Sequence, residues 1–187
     1  MRAKDTISTT AICGDCAMQK GNLNADIIEE IGKKTIEIAE MIGWHRTKEQ
    51  RLDVVVLTLL HERVGRMRFQ YQVGNGRIDF RYGGTNPAFI ELVVRRHGNE
   101  HNQSQNKKEI RKLCRIKNAR QRYLLIVDLT ENNPLTIEQL REQYKKAGPG
   151  SGRSYNKPIM VVYVHQEDSF HFRWSPDSTS LKRVSKS

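Results

Sequence analysis

The sequence predicts an α/β protein with a mixed central sheet flanked by helices. Three observations carry that prediction. Two segments with apolar residues at helical spacing precede a group of short alternating segments. Gly74-Asn75-Gly76 separates the first two of these, a strong hairpin signal because both residue types tolerate positive φ. A basic helical stretch then leads into Tyr123-Leu124-Leu125-Ile126-Val127, an apolar run that suits a strand buried on both faces.

Each element has its own local reason. Asn22 or Asn24 can cap a first helix running to about Ile42, with Ile27, Ile28, Ile31, Ile38 and Ile42 near helical spacing and Gly43 as its stop. Thr47 with Gln50 forms a capping-box pattern for a second helix, whose buried stripe is Leu52, Val55, Val56, Leu59, Leu60 and Val64 and whose stop is Gly65. Met67 to Val73 alternates, placing Met67, Phe69, Tyr71 and Val73 on one face. Arg77 to Tyr82 returns as the second strand, with Ile78, Phe80 and Tyr82 facing one way and Arg77, Asp79 and Arg81 the other. Ala88 to Arg96 is a third strand. On it Ile90, Leu92 and Val94 oppose Phe89, Glu91, Val93 and Arg95.

His97 to Gln103 reads as a polar loop, and Ser104 as the cap of a helix to about Lys117 with Ile110, Leu113 and Cys114 inside. Arg122 to Thr130 is the next strand. Asn133-Pro134 has the cap and first-turn proline order of a further helix, ending by Gly148. Ile159 to His165 and Ser169 to Trp174 form a closing hairpin around Glu167-Asp168. The crossover from third to fourth strand is expected to be right-handed. The resulting division is a lead-in and helix over residues 1–46, an α/β domain over 47–175 and a Ser-rich basic tail over 176–187.

A chain of 187 residues can bury a sizeable core, and its 37% apolar and 28% charged content excludes a disordered chain. Lys and Arg outnumber Asp and Glu by 32 to 21, a net charge of +11. Such an excess favours a polyanionic partner, because neutralising phosphates releases counterions. Cys13, Cys16 and Cys114 make no disulfide framework, Met1 to Gly14 holds no signal-peptide run, and no stretch approaches the roughly 20 apolar residues of a membrane span. These features predict a cytoplasmic protein with no membrane partner. Cys13-x-x-Cys16 is at most half a zinc site. His61-Glu62-x-x-Gly65 lacks the second histidine of a metalloprotease helix. The Gly148-to-Arg153 stretch follows a helix instead of opening one, the reverse of a phosphate-binding loop.

The chemistry concentrates in three places. Asp79 and Glu91, on adjacent strands, can sit side by side and supply two hard oxygen ligands to Mg²⁺ or Mn²⁺, with water and a phosphate oxygen completing the shell. Glu62 extends the stripe of the second helix and is a third acidic candidate. Cross-strand ion pairs would explain both strand acids without a metal, because Arg77 and Arg81 flank Asp79 and Arg95 follows Glu91. From Arg95 to Arg122 there are ten cations (Arg95, Arg96, Lys107, Lys108, Arg111, Lys112, Arg115, Lys117, Arg120, Arg122) against Glu100 and Glu109. Lys108, Arg111, Lys112 and Arg115 share one helical face suited to a phosphate backbone, with Lys107 beside them. This basic segment holds no aromatic platform for unpaired bases.

The order helix, three-strand meander, helix, strand, with Asp79 on the second strand and Glu91 on the third, resembles the PD-(D/E)XK nuclease superfamily, the restriction-endonuclease-like fold. The resemblance covers about Lys48 to Asp128. It implies a Mg²⁺- or Mn²⁺-dependent nuclease acting on DNA, with Asp79 and Glu91 as metal ligands and catalytic acids and Glu62 as the helical glutamate. A homodimer is also implied, since many such enzymes cut two strands. The residue before Asp79 is Ile78 where the motif has proline, and the motif lysine falls on Val93. Valine can neither orient water nor offset charge at a phosphate. Arg95, two residues along on the same face, is the expected substitute, or Lys107 or Lys108 from the helix. Without a substitute, the chain would be a catalytically inactive DNA-binding or assembly module on the same fold.

Overall fold

Asn24 caps the first helix as expected: its Oδ1 accepts a hydrogen bond from the Ile27 N–H at 2.9 Å. The computed structural model describes residues 22–43, 49–74, 76–96, 101–131, 134–145 and 158–175. Helix α1 spans Ala25–Met41 and α2 Glu49–Val64. Strands β1 (Met67–Val73), β2 (Gly76–Tyr82) and β3 (Ala88–Arg95) come next, then α3 (His101–Cys114), β4 (Gln121–Asp128), α4 (Ile137–Lys145), β5 (Ile159–Val164) and β6 (Ser169–Trp174). The six strands form one mixed sheet in chain order, β1 to β6. The β1–β2, β2–β3 and β5–β6 pairs are antiparallel; β3–β4 and β4–β5, which are joined through α3 and α4, are parallel.

Two hydrophobic clusters cover the two faces of this sheet. On one face α1 and α2 bring Ile28, Ile31, Leu52, Val56 and Leu60 against Ile90, Leu92, Leu125, Val127, Val162 and Val164. On the other, α3 and α4 bring Ile110, Leu113, Leu140 and Tyr144 against Phe89, Val93, Leu124, Ile126, Val161 and Tyr163. The alternation within β3 is as the sequence predicts, with Leu92 on one face and Val93 on the other.

Gly32 sets the approach of α1 to the sheet. A Cβ at this position would lie 2.6 Å from Val164 Cγ2 and 3.2 Å from Leu125 Cδ1. Gly32→Ala should therefore lower stability by roughly 1–3 kcal/mol through overpacking, outweighing the helix preference for Ala of about 1 kcal/mol. The urea midpoint should fall at constant slope; an unchanged or higher midpoint would show that α1 can ride outward at no cost.

Several local expectations change. Helix α3 begins at His101 rather than after Ser104, and it ends at Cys114 rather than Lys117. Helix α4 begins at Ile137, three residues past Asn133-Pro134. A capping box explains that start: Gln139 N–H donates to Thr136 Oγ1 at 3.2 Å, and Thr136 N–H donates to Gln139 Oε1 at 2.8 Å. Thr47, the Cys13-x-x-Cys16 pair, His97, residues 146–157 and those after Ser175 lie outside the described residues.

The largest departure is in the β1–β2 hairpin. Strict alternation would put Met67, Phe69, Tyr71 and Val73 on one face. Instead Met67 packs in the α1/α2 cluster, and Tyr71 and Val73 pack against the α3/α4 cluster. In β2, Phe80 joins the first cluster and Ile78 the second. Both strands thus change face between the pairs Phe69–Phe80 and Tyr71–Ile78, where the ladder lacks its Gln70–Asp79 rung. Gln70 lies at φ 47°, a left-handed conformation costly for a residue with a Cβ. The two strands twist through together, so the register holds while the side chains switch sides.

Candidate functional site

Asp79 stands where β2 changes face, and its local structure follows from that break. Its Oδ2 accepts the Leu92 N–H at 2.8 Å, a side chain taking a backbone donor across to β3. The bond fixes the carboxyl beside the middle of β3. There Glu91, on the α3 side of the strand, is fully buried at 0% exposure. Burial pushes the Glu91 carboxyl well above the usual carboxylate range, and the neighbouring Asp79 carboxyl and the charge of Glu109 push it further. The two strand acids therefore converge, as the sequence predicts.

A lysine comes to meet them from the crossing helix. Lys112 Nζ lies 2.9 Å from Glu91 Oε1, also contacts Glu109 Oε2, and donates to the Arg77 carbonyl at 3.3 Å. Burial works against its charge, but the contacts with Glu109 and Glu91 raise its pKa on balance, so it stays protonated. The two directions pull differently, since a charged Lys112 favours an ionised Glu91. One ammonium faces three carboxyls, however, and neither Glu91 oxygen has a partner in hydrogen-bond geometry. The lysine contact is an ion pair, and it leaves the acidic cluster short of positive charge. A raised Glu91 is the direction that this imbalance supports.

The other expected site residues are dispersed. Glu62 is exposed on α2, which packs on the opposite sheet face, so it does not join the pair. Its stripe ends with Leu60 and Val64 inside and leaves Glu62 turned outward. Arg95 is buried, as its place on the Glu91 face predicts, but it is bonded to Asp128 and lies 3.3 Å from Thr130 Oγ1. Asp128 also accepts from Tyr163 Oη and Thr130, which makes a closed polar clasp at the ends of β3, β4 and β5. Arg95 is therefore committed to that clasp and does not stand in for the lysine missing at Val93. Val93 itself is in the α3-side core.

The ion-pair alternative for the strand acids takes a different form. Arg81 donates to the Gly84 carbonyl at 2.6 Å and lies over the Tyr71 ring, and Arg77 reaches Gln70 Oε1 at 3.4 Å. The cation at Glu91 is Lys112. Of the basic helix, Lys108 and Arg115 are exposed, and Lys107 and Arg111 are partly buried. Arg122 is buried and donates to the Ile116 carbonyl, which removes it from any phosphate surface. Helical spacing places Lys112 on the outer face, and the structure turns it inward. The signal for that turn is its position: it directly precedes buried Leu113 at the edge of the apolar stripe, with Glu109 at i−3.

Among the described residues no group of three or more His, Cys, Asp or Glu side chains is arranged to hold a metal ion. Two acids are what the strands supply. The donor set nevertheless suits a hard divalent cation. It is all oxygen, Glu91 is buried with neither oxygen in a hydrogen bond, and the repulsion from Asp79 would be relieved by positive charge. Mg²⁺ commonly takes only one or two carboxylates and keeps several waters, so a two-acid site is sufficient.

No family model matches the chain, and no curated protein matches it significantly. Among solved structures, the chain is similar to SfsA from Pyrococcus furiosus, determined in complex with Ca²⁺. The likeness has a TM-score of 0.33 at 14% identity, and it covers 67% of this chain and 63% of that one. A TM-score that low marks a partial overlap of backbones and bears on no residue of this site. No described helix is long and apolar enough to cross a membrane.

Proposed function

We propose that this chain acts on phosphodiester bonds with the help of a divalent metal. The observation that supports this most is the convergence of Asp79, Glu91 and Lys112, two acids and one base from three different elements, on one side of the sheet. The element order α2, β1–β3, α3, β4 with parallel β3–β4 pairing agrees with a restriction-endonuclease-like core. Within that class, the reading is a DNA nuclease whose lysine sits on α3 instead of at position 93.

In this reading Asp79 and Glu91 hold Mg²⁺ or Mn²⁺. Once bound, the ion supplies a more acidic water and a charge to balance that growing on phosphorus. Asp79 is pre-aimed by the Leu92 N–H, so its carboxyl needs little reorganisation. Glu91, buried against apolar β-strand neighbours, is the ligand that most needs a cation. Lys112 Nζ, tethered by Glu109 at the edge of the pair, lies where it can steady the attacking water and the phosphate oxygen. The exposed Lys108 on α3 and Arg115 just past its end extend positive charge along this edge, a surface that positions a backbone without reading sequence.

The catalytically inactive alternative rests on Val93 and on Lys112 being engaged with Glu109 as well as Glu91. One experiment separates the two. Purified protein is incubated with supercoiled, linear and branched DNA in Mg²⁺ or Mn²⁺, beside Asp79→Ala and Glu91→Ala variants. Metal-dependent cleavage should occur and vanish in both variants, while DNA binding persists. Cleavage equal in wild type and variants would refute the site, and DNA binding with no cleavage in any metal would favour the inactive module.

A further inference from the structure

Beside Lys112 lies a cleft of about 870 Å³, between the outer half of the β1–β2 hairpin and the C-terminal end of α3. The change of face at Gln70 and Asp79 creates it, because that twist carries Tyr71 and Val73 over to the α3 side. Among the described residues, Arg81, Arg115 and Lys117 line this cleft beside Lys112, which is paired with Glu91 and Glu109, and no acidic residue lines it. This lining favours an anionic occupant. The volume falls in the roughly 300–1,000 Å³ range of pockets that enclose small ligands. A nucleotide-sized unit enters such a space; an intact double helix does not.

The hairpin side of the cleft is aromatic. Tyr71 is half-buried, with the Arg81 guanidinium 4.7 Å from its ring centroid and the Phe89 ring 6.2 Å away and tilted by 45°. Arg68 also lies over the ring, 5.9 Å from its centroid, and these contacts hold it at the cleft wall. Gln72, Thr85 and Asn118 add exposed polar side chains around the rim. The platform absent from the basic segment is thus supplied by the hairpin packed against it.

We propose that this cleft takes an unpaired nucleic-acid strand, with a base against Tyr71 and phosphates along Arg115 and Lys117, leading the chain past Lys112 toward the carboxylate pair. The substrate is then single-stranded, frayed or flapped nucleic acid, not continuous duplex. The proposal rests on the nuclease reading only for the cleavage step after binding; the cleft itself requires no metal.

The test uses the full chain in EDTA, so that binding is measured without cleavage. Fluorescence anisotropy compares a labelled 12-nucleotide oligo(dT), the matching oligo(rU) and a 12-base-pair duplex. At least one single strand should bind about tenfold more tightly than the duplex, and the two single-strand arms tell DNA from RNA. Tyr71→Ala should weaken single-strand binding on the order of tenfold, the effect of losing one stacked base, and leave duplex binding unchanged. Tyr71→Phe keeps the ring and should keep the affinity, which separates stacking from any folding defect in the alanine variant. Duplex binding as tight as single-strand binding, or equal losses on both substrates in Tyr71→Ala, would overturn the proposal. Because neither Asp79 nor Glu91 lines the cleft, single-strand preference can survive even if no cleavage is found, and cleavage can survive without that preference.

Discussion

Lys112→Met should reduce metal-dependent cleavage by about 10²–10³-fold, the usual cost of removing one preorganised charged group from a reacting centre. Methionine keeps the length and apolar stem of lysine, so packing against the end of α3 changes little. It removes the ammonium 2.9 Å from Glu91 and the contact to Glu109. If Lys112 fills the role that Val93 cannot, the loss falls on the chemical step, and single-turnover rates should drop far more than binding does. Lys112→Arg keeps the charge but not the compact geometry, so it should recover only part of the rate. Equal single-turnover rates in wild type and Lys112→Met would leave Lys112 as a mere counter-ion for Glu91. A matching collapse of the melting transition would mean the same.

Glu91→Gln should have the opposite sign for stability. In metal-free protein Glu91 is buried, its oxygens lack hydrogen-bond partners, and Asp79 and Glu109 repel its charge. Its carboxyl titrates above the unfolded value of 4.5. Below about pH 4.5 both folded and unfolded chains hold this proton, and its stabilising effect is complete. As pH rises past that point the unfolded chain releases the proton while the folded chain keeps it, so stability falls with pH until the folded carboxyl also ionises. Glutamine holds neutral shape at every pH. The variant should therefore match or exceed wild type, with a gap that widens between pH 5 and pH 9 to on the order of 1–3 kcal/mol, the cost of an unsatisfied buried polar group. Metal-dependent activity should be lost at the same time. Thermal melts of both proteins in chelator across that range are the measurement. A variant less stable than wild type at every pH would show that Lys112 fully compensates Glu91 and that the site lacks no positive charge.

Much of the architecture was legible because it depends on short-range patterns. Helix α1 has an asparagine cap and a glycine stop, β3 alternates cleanly, and the 159–174 hairpin is bounded by polar turn residues. The convergence of Asp79 and Glu91 was legible for the same reason: the meander puts β2 beside β3, and both acids lie on the α3 side. What the sequence concealed depends on contacts distant along the chain. Alternation in β1 and β2 predicts one continuous face, and nothing local to Gln70 or Asp79 announces that both strands twist there. Arg95 has the right parity to face Glu91, but its partner Asp128 comes from the neighbouring strand 33 positions later. Glu62 fits the helical stripe by spacing, yet the stripe closes one turn earlier on that side. Lys112 looked like one of four outward cations, and only the packing of α3 on β2 and β3 turns it inward.

The paired twist in the hairpin has a consequence for how the molecule can change. Since both strands change face together, the missing Gln70–Asp79 rung divides the ladder into an inner part, Met67–Tyr82 to Phe69–Phe80, and an outer arm, Tyr71–Ile78 to Val73–Gly76. Residues could be added or removed two at a time at the tip, reshaping the outer arm, while Asp79 and Glu91 stay where they are. Selectivity and chemistry would then be adjustable as separate parts of one ribbon.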